Sequence, residues 1–202
     1  LLLDMSQAYK RGDKGKLTRL LPQARGHALE PWAAYWELKA RLVDASATEV
    51  QDFLARYAGT YQEDRLRNDW LRLLGQRRDW ANFAAEYPKF RMNDDREVRC
   101  YALMVQHLTQ GTSAPAGLAD EVKRNWFGIR DTDDGCTLAA SRLIAGKDSA
   151  NRMTPQDAWV KARLSISSNR GQAAANAVEL VAPEALNLVA DIQKSPANFL
   201  TA

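Results

Sequence analysis

The sequence predicts an all-α fold: a right-handed superhelix, or α-solenoid, of short antiparallel helix pairs spanning residues 1–202 as a single domain. Three observations predict it. No stretch sustains the alternation of β-branched and polar residues that a half-buried strand needs, and the Asp134–Gly135 pair opens a helical pattern rather than a hairpin. Apolar residues recur instead at spacings of three and four, in runs bounded by capping residues, prolines and glycines. Gly75, Gly111 and Gly146 each close such a run and stand 36 and 35 residues apart, close to the period of helix-pair repeats. A helix pair that cannot bury its apolar face alone must stack on its neighbours, and this is the physical basis of a solenoid. A globular helix bundle is the competing architecture.

Taken in order, the first helix runs from about Asp4 to Arg11 and ends at Gly12, and the second, from about Gly15 to Ala24, carries Leu17, Leu20 and Leu21. Pro31 suits the first turn of a third, where Trp32, Tyr35, Trp36 and Leu38 to Leu42 supply a thick apolar face. Ser46 or Thr48 caps a helix with Val50, Phe53, Leu54 and Tyr57, closed by Gly59. Residues 61–88 form a helix hairpin. Its first helix ends in Trp70, Leu71, Leu73 and Leu74, and Gly75 takes the left-handed C-terminal position. Asp79 caps the second, where Trp80, Phe83, Ala84 and Tyr87 share one face and Pro88 ends the run. Asp94 or Asp95 starts a helix with Val98, Tyr101, Val105 and Leu108, ending at Gly111. Helices at 115–127 (Leu118, Val122 and Trp126 spaced by four), 136–145 and 154–168 follow; the last is started by Thr154 and Pro155 and buries Trp159, Ala162 and Ile166. Residues 172–181 and 183–193 complete the set, and Ser195 with Pro196 begins one more.

Composition narrows the function classes. With 46% hydrophobic and 26% charged residues, the chain is that of an ordered globular protein. Its net charge is +3, with Lys and Arg scattered among Asp and Glu rather than gathered in a run, which is weak evidence for a nucleic-acid partner, and none is expected. No apolar run approaches the roughly 20 residues needed to span a bilayer. The amino-terminal LLLDMSQAYK has neither a basic region nor a small-residue cleavage site, so it does not read as an intact signal peptide.

The usual chemical motifs are missing. His27 and His107 lie far apart with no HExxH spacing, and no GxSxG, SxxK, GxGxxG or GxxxxGK pattern occurs, so no catalytic residue, metal ligand or cofactor is expected. His27 reads as a solvated loop residue and His107 as structural. The acidic pairs Glu63–Asp64 and Asp94–Asp95, and the triplet Asp131, Asp133 and Asp134, fall at expected helix starts, where negative charge suits the macrodipole. The triplet is out of step with a calcium loop. Arg72, Arg77 and Arg78, beside Trp70 and Trp80, form a patch able to stack on a sugar. The plainer reading makes the tryptophans core and the arginines a wet rim. Cys100 and Cys136 lack CxxC spacing, and composition leaves their state open.

Several segments together resemble the amino-terminal superhelical (U-type) domain of the soluble lytic murein transglycosylases of Gram-negative bacteria. The pattern is an aromatic helix after a proline (Pro31 to Leu42), then a short Phe-containing helix from Val50. A helix ending in Leu and Arg then leads to Arg-Asp-Trp before an aromatic helix, here Arg78, Asp79 and Trp80. A cysteine lies in the next helix and another in the helix after the following one, and REVRCYAL and DGCTLAAS fit both places. The resemblance covers roughly residues 28–200. It implies a periplasmic ring-shaped scaffold with its signal peptide removed, and a Cys100–Cys136 disulfide. It also implies a separate lysozyme-like domain that cleaves the MurNAc-GlcNAc β-1,4 bond of peptidoglycan to a 1,6-anhydro product. That chemistry needs one glutamate, acid then base, within Glu-Ser, Gly-Leu-Met-Gln and Ala-Tyr-Asn phrases. None of these occurs in the sequence, so no catalytic residue is carried over. The implied partners are peptidoglycan strands, met through the parent enzyme, and cell-wall proteins, with Arg72, Arg77, Arg78 and Trp80 as candidate glycan contacts. A helical-repeat adaptor for a protein or peptide is the competing function.

Overall fold

The computed structural model describes residues 1–146 and 150–201, and is helical throughout, with no strand among the described residues. It divides into two compact units, residues 1–93 and 94–202.

Unit 1 contains α1 (Leu2–Lys10), α2 (Lys14–Leu20), α3 (Glu30–Ala40), α4 (Ala47–Arg56), α5 (Tyr61–Gln76) and α6 (Trp80–Glu86). Local chemistry sets most ends. The Asp13, Thr60 and Asp79 side chains accept N–H bonds from the first turns of α2, α5 and α6, and Ser46 with Glu49 forms a reciprocal capping box on α4. The expected helix at 15–24 changes to a 3₁₀ turn at Leu21–Ala24, because Pro22 lacks the N–H that would continue the α ladder. Helix α3 packs on α1, α2 and α5, and α5 packs on α4 and α6. Met5, Ala8, Leu17, Ala24 and Ala33 form one core cluster, flanked by Tyr9 and Trp36.

Unit 2 contains α7 (Arg96–Gln110), α8 (Leu118–Gly128), α9 (Gly135–Ala145), α10 (Pro155–Ser167), α11 (Gly171–Glu179), α12 (Leu186–Lys194) and α13 (Pro196–Thr201). Asp95 caps α7 through the N–H groups of Glu97 and Val98. Helix α9 packs on both α7 and α8, and α10 packs on α8 and α11. The contact with α7 is close: a Cβ at Gly135 would lie 2.5 Å from the Glu97 carbonyl oxygen, so only glycine fits where α9 begins. The other interfaces rely on small residues, Ala119, Ala139, Ala140, Ala158, Ala162, Ala173, Ala174 and Ala177, all buried.

Four expectations are corrected. Gly75 is not a left-handed cap. Helix α5 runs through it to Gln76, and the positive φ falls on Arg78 at 60°. Gly146 has φ −67°, so of the three evenly spaced glycines only Gly111 uses glycine's freedom, at φ 55°. Their spacing is therefore no structural period. Trp159 is 37% exposed, and α10 buries Ala158, Lys161, Ala162 and Ser165 instead. The inward stripe is turned by one residue because it accepts a lysine and a serine that hydrophobicity alone would place outside. The 115–127 helix begins at Leu118, after Gly117 turns the chain at φ 90°.

Candidate functional site

The basic patch spans the end of α5 and the start of α6. Arg72 is exposed on α5. Arg77 donates from Nη2 to the Val43 carbonyl at 2.6 Å, which turns its planar fork toward the loop after α3. Arg78 donates to the Gly75 carbonyl at 3.1 Å, and its guanidinium lies 5.9 Å from the Trp80 ring centre. Trp80 is half-buried and meets Phe83 edge-on at 6.4 Å. Folding thus joins Arg78 to Trp80. Trp70, only 5% exposed, is hairpin core with no face for a ligand.

A second aromatic surface has no counterpart in the sequence-derived site. On α3, residues 33, 34, 37 and 38 are buried, while 32, 35, 36 and 39 lie about 180° away at 100° per residue. That second stripe faces α1 and α5. Tyr9 of α1 stacks on Trp36 at 6.3 Å, Trp36 lies 5.8 Å from Trp32, and Trp32 lies 5.8 Å from Tyr61 of α5. Tyr35 meets Trp32 edge-on. The rings of Tyr9, Trp32 and Trp36 are half-buried and Tyr61 is 51% exposed, so a row of rings crosses three helices with part of each open. The Tyr35 hydroxyl donates to Asp69 at 2.8 Å, and Lys39 binds the other carboxylate oxygen at 2.5 Å. Burial, then the Asp69 charge, raises the hydroxyl pKa values of Tyr35 and Tyr9, so both stay protonated donors. The WxxYW spacing of Trp32, Tyr35 and Trp36 was the signal for this row, but a helical stripe of aromatics reads first as core.

The acidic clusters do more than cap. Glu63 and Glu86 both bind Arg67, all three buried, while Glu63 also accepts from Arg91 at 2.8 Å and from the Gly59 N–H at 3.0 Å. Asp64, fully buried, accepts the backbone N–H groups of Arg91 and Met92 at 3.0 and 2.8 Å. Burial pushes the Glu63 and Glu86 carboxyls up, but their hydrogen-bonded partners, Arg67 foremost, outweigh it and hold both below the ordinary range. A cleft of about 270 Å³ includes Glu30, Glu37, Arg25, Arg56 and Phe53 in its lining. Glu30 accepts from the Gly26 N–H, Tyr57 and Arg56, which lower its pKa; a carboxyl held ionised this way is no proton donor.

In unit 2 the pattern reverses. Burial pushes the Asp133 carboxyl up to about 6, against the N–H groups of Cys136 and Thr137 that it accepts as cap of α9. Lys161, 2% exposed, donates from Nζ to the Trp126 carbonyl at 2.7 Å and to that of Ile129, at the end of α8, where the helix dipole favours a cation. Burial lowers its pKa. Asp131 pairs with Arg170 at 2.7 Å. His27 is exposed and accepts the Leu29 N–H on Nδ1. His107 is half-buried on α7. Among the described residues no group of three or more His, Cys, Asp or Glu side chains is arranged to hold a metal ion, and no helix is long and apolar enough to cross a membrane.

Cys100 on α7 and Cys136 on α9 are joined by a disulfide, with Cα atoms 4.9 Å apart and both residues fully buried. No family model, curated protein or solved structure matches the chain.

Proposed function

We propose that this chain is the non-catalytic, amino-terminal superhelical part of a periplasmic peptidoglycan lytic transglycosylase. It acts as a scaffold that guides glycan strands toward a lysozyme-like domain carried elsewhere in the parent enzyme. The observation that carries the reading is the Cys100–Cys136 disulfide, in the two helices where the resemblance expects cysteines. Buried disulfides persist in oxidising compartments, which supports the periplasm. The superhelical arrangement draws support from alternate helices lying side by side, α1 on α3 and α3 on α5, as stacked helix pairs require. A net charge of +3 suits a carboxylate-bearing polymer, an attraction that physiological salt reduces.

The test uses purified peptidoglycan sacculi. The 202-residue chain should sediment with them and release no 1,6-anhydro muropeptides. Robust cleavage by this chain alone would overturn the reading. Capture of one specific protein partner, without binding to sacculi, would favour the adaptor.

A further inference from the structure

The row of rings across α1, α3 and α5 is more than the core needs. Helix α3 already buries Ala33, Ala34 and Leu38 on its opposite face, whereas Trp32, Trp36 and Tyr9 keep open surface and Tyr61 is more exposed than buried. Aromatic side chains left half-open in a row, with hydroxyl and indole N–H groups at their edges, present flat π faces beside hydrogen-bond donors. A pyranose is the matching shape: its axial C–H bonds form a weakly positive face and its hydroxyls lie around the rim. Neighbouring ring centres are 5.8 to 6.3 Å apart with planes inclined by 25° to 41°, so the rings form a stepped row that an extended sugar chain can follow.

Charge narrows the ligand further. Asp69, the carboxylate to which Tyr35 donates, is neutralised by Lys39, so it offers no uncompensated anion to a cationic ligand. The cations beside it among the described residues, Lys39 on Asp69 and Arg65 acting on Tyr35, fall short of the run that a nucleic-acid backbone requires. A neutral chain fits both facts.

We propose that Tyr9, Trp36, Trp32 and Tyr61 form a saccharide-binding platform that stacks consecutive sugars of a neutral β-1,4-linked pyranose chain, with Lys39 and Asp69 hydrogen-bonding its hydroxyls. The platform deepens the glycan-strand reading above, and rests on it only for which sugar is bound. It is distinct from the Arg78–Trp80 pair on α6.

The test titrates the chain with the β-1,4 hexamer of N-acetylglucosamine, and separately with cellohexaose, following tryptophan emission and calorimetric heat. Wild type should bind saturably, with a blue shift as rings lose water. Tyr61→Ala, at an exposed position that leaves folding intact by circular dichroism, should weaken binding about tenfold, and Trp32→Ala at least as much. Trp159→Ala, at a partly exposed tryptophan of unit 2, should bind as wild type does. Absence of saturable binding to either hexamer, or a Tyr61→Ala variant that binds like wild type, overturns the platform. Two results separate this proposal from the transglycosylase reading. Binding of the hexamers without sedimentation on sacculi keeps the platform and removes that reading. Sedimentation that survives Tyr61→Ala and Trp32→Ala keeps the reading and removes the platform.

Discussion

Unit 1 buries Glu30, Glu37, Glu63, Asp64, Arg67 and Glu86 and contains no cysteine, whereas unit 2 carries the disulfide and, among described charged residues, buries Glu97 and Lys161 and half-buries Asp133. Both are made of short helices too small to be stable alone, so each needs links between segments distant in sequence. Unit 1 makes them with charge: Arg67 joins α5 to α6, and Asp64 fastens residues 91 and 92 to the first turn of α5. Unit 2 adds a covalent bond and close alanine contacts to its two buried charges, Glu97, which accepts the N–H groups of Asp134 and Gly135, and Lys161 on the end of α8. A buried ion pair costs desolvation and is worth little against a well-packed apolar pair, yet removing one partner is severe because the other is left uncompensated. A disulfide acts largely on the unfolded chain, where it removes loop entropy. The two units should therefore respond to different insults.

One of the two largest expected differences comes from Arg67→Ala. It removes the buried cation shared by Glu63 and Glu86, leaving them their outer cationic partners Arg91 and Lys89, and should cost unit 1 about 3 kcal/mol. Hydrogen exchange read by mass spectrometry should show α5 and α6 losing protection while α7 to α9 keep theirs. Equal loss in both units would break the comparison.

Reduction of the disulfide should do the converse. The cysteines are 36 residues apart in sequence, and the loop-entropy model puts the bridge at roughly 3–4 kcal/mol. Urea unfolding with and without reductant should lower the midpoint for unit 2, and the Trp126 environment should change before that of Trp32 or Trp36. An unchanged midpoint would mean that the α7–α9 packing suffices without the bond.

The smallest effect sharpens the contrast through pH. The lowered carboxyls of unit 1, Glu63 and Glu86, contribute stability that is present above the ordinary carboxylate range and lost as pH falls through their folded values. Asp133 has the opposite sign. Its folded pKa of about 6 makes its contribution full below the unfolded value of about 3.9, and that contribution is lost as pH rises through 6. Between pH 7 and 5 unit 2 should therefore gain about 1 kcal/mol from this group. Asp133→Asn, which keeps an oxygen for the cap, should flatten the dependence in thermal melts. If the slope survives the substitution, the titrating group is another.

The helical class and several helix ends were legible because they rest on local chemistry: Asp79 caps as expected, and the choices left open at Ser46 or Thr48 and at Asp94 or Asp95 fall to Ser46 and Asp95, whose side chains reach a first turn, whereas the Thr60 cap went unread. The errors arose where tertiary contacts outrank local preference. Arg78 takes the left-handed position three residues beyond Gly75, where its guanidinium can return to the Gly75 carbonyl and lie near Trp80. Lys161 goes inside because the end of α8 offers it carbonyls, and that displaces Trp159 from the inward stripe. The two cysteines were legible as positions, but their bond was implied only by a resemblance. The aromatic row was the least legible, since its members come from helices up to 52 residues apart in sequence, Tyr9 to Tyr61.

Asp64 gives the chain punctuation. By holding Arg91 and Met92 through backbone N–H groups, it ties the last residues of unit 1 using nothing that depends on their side chains. The Asp64 contacts would survive a change of side chain there, even though Arg91 adds its own pair with Glu63, and the clasp is complete one residue before the boundary at Asn93. In the language of modular assembly, unit 1 carries its own full stop.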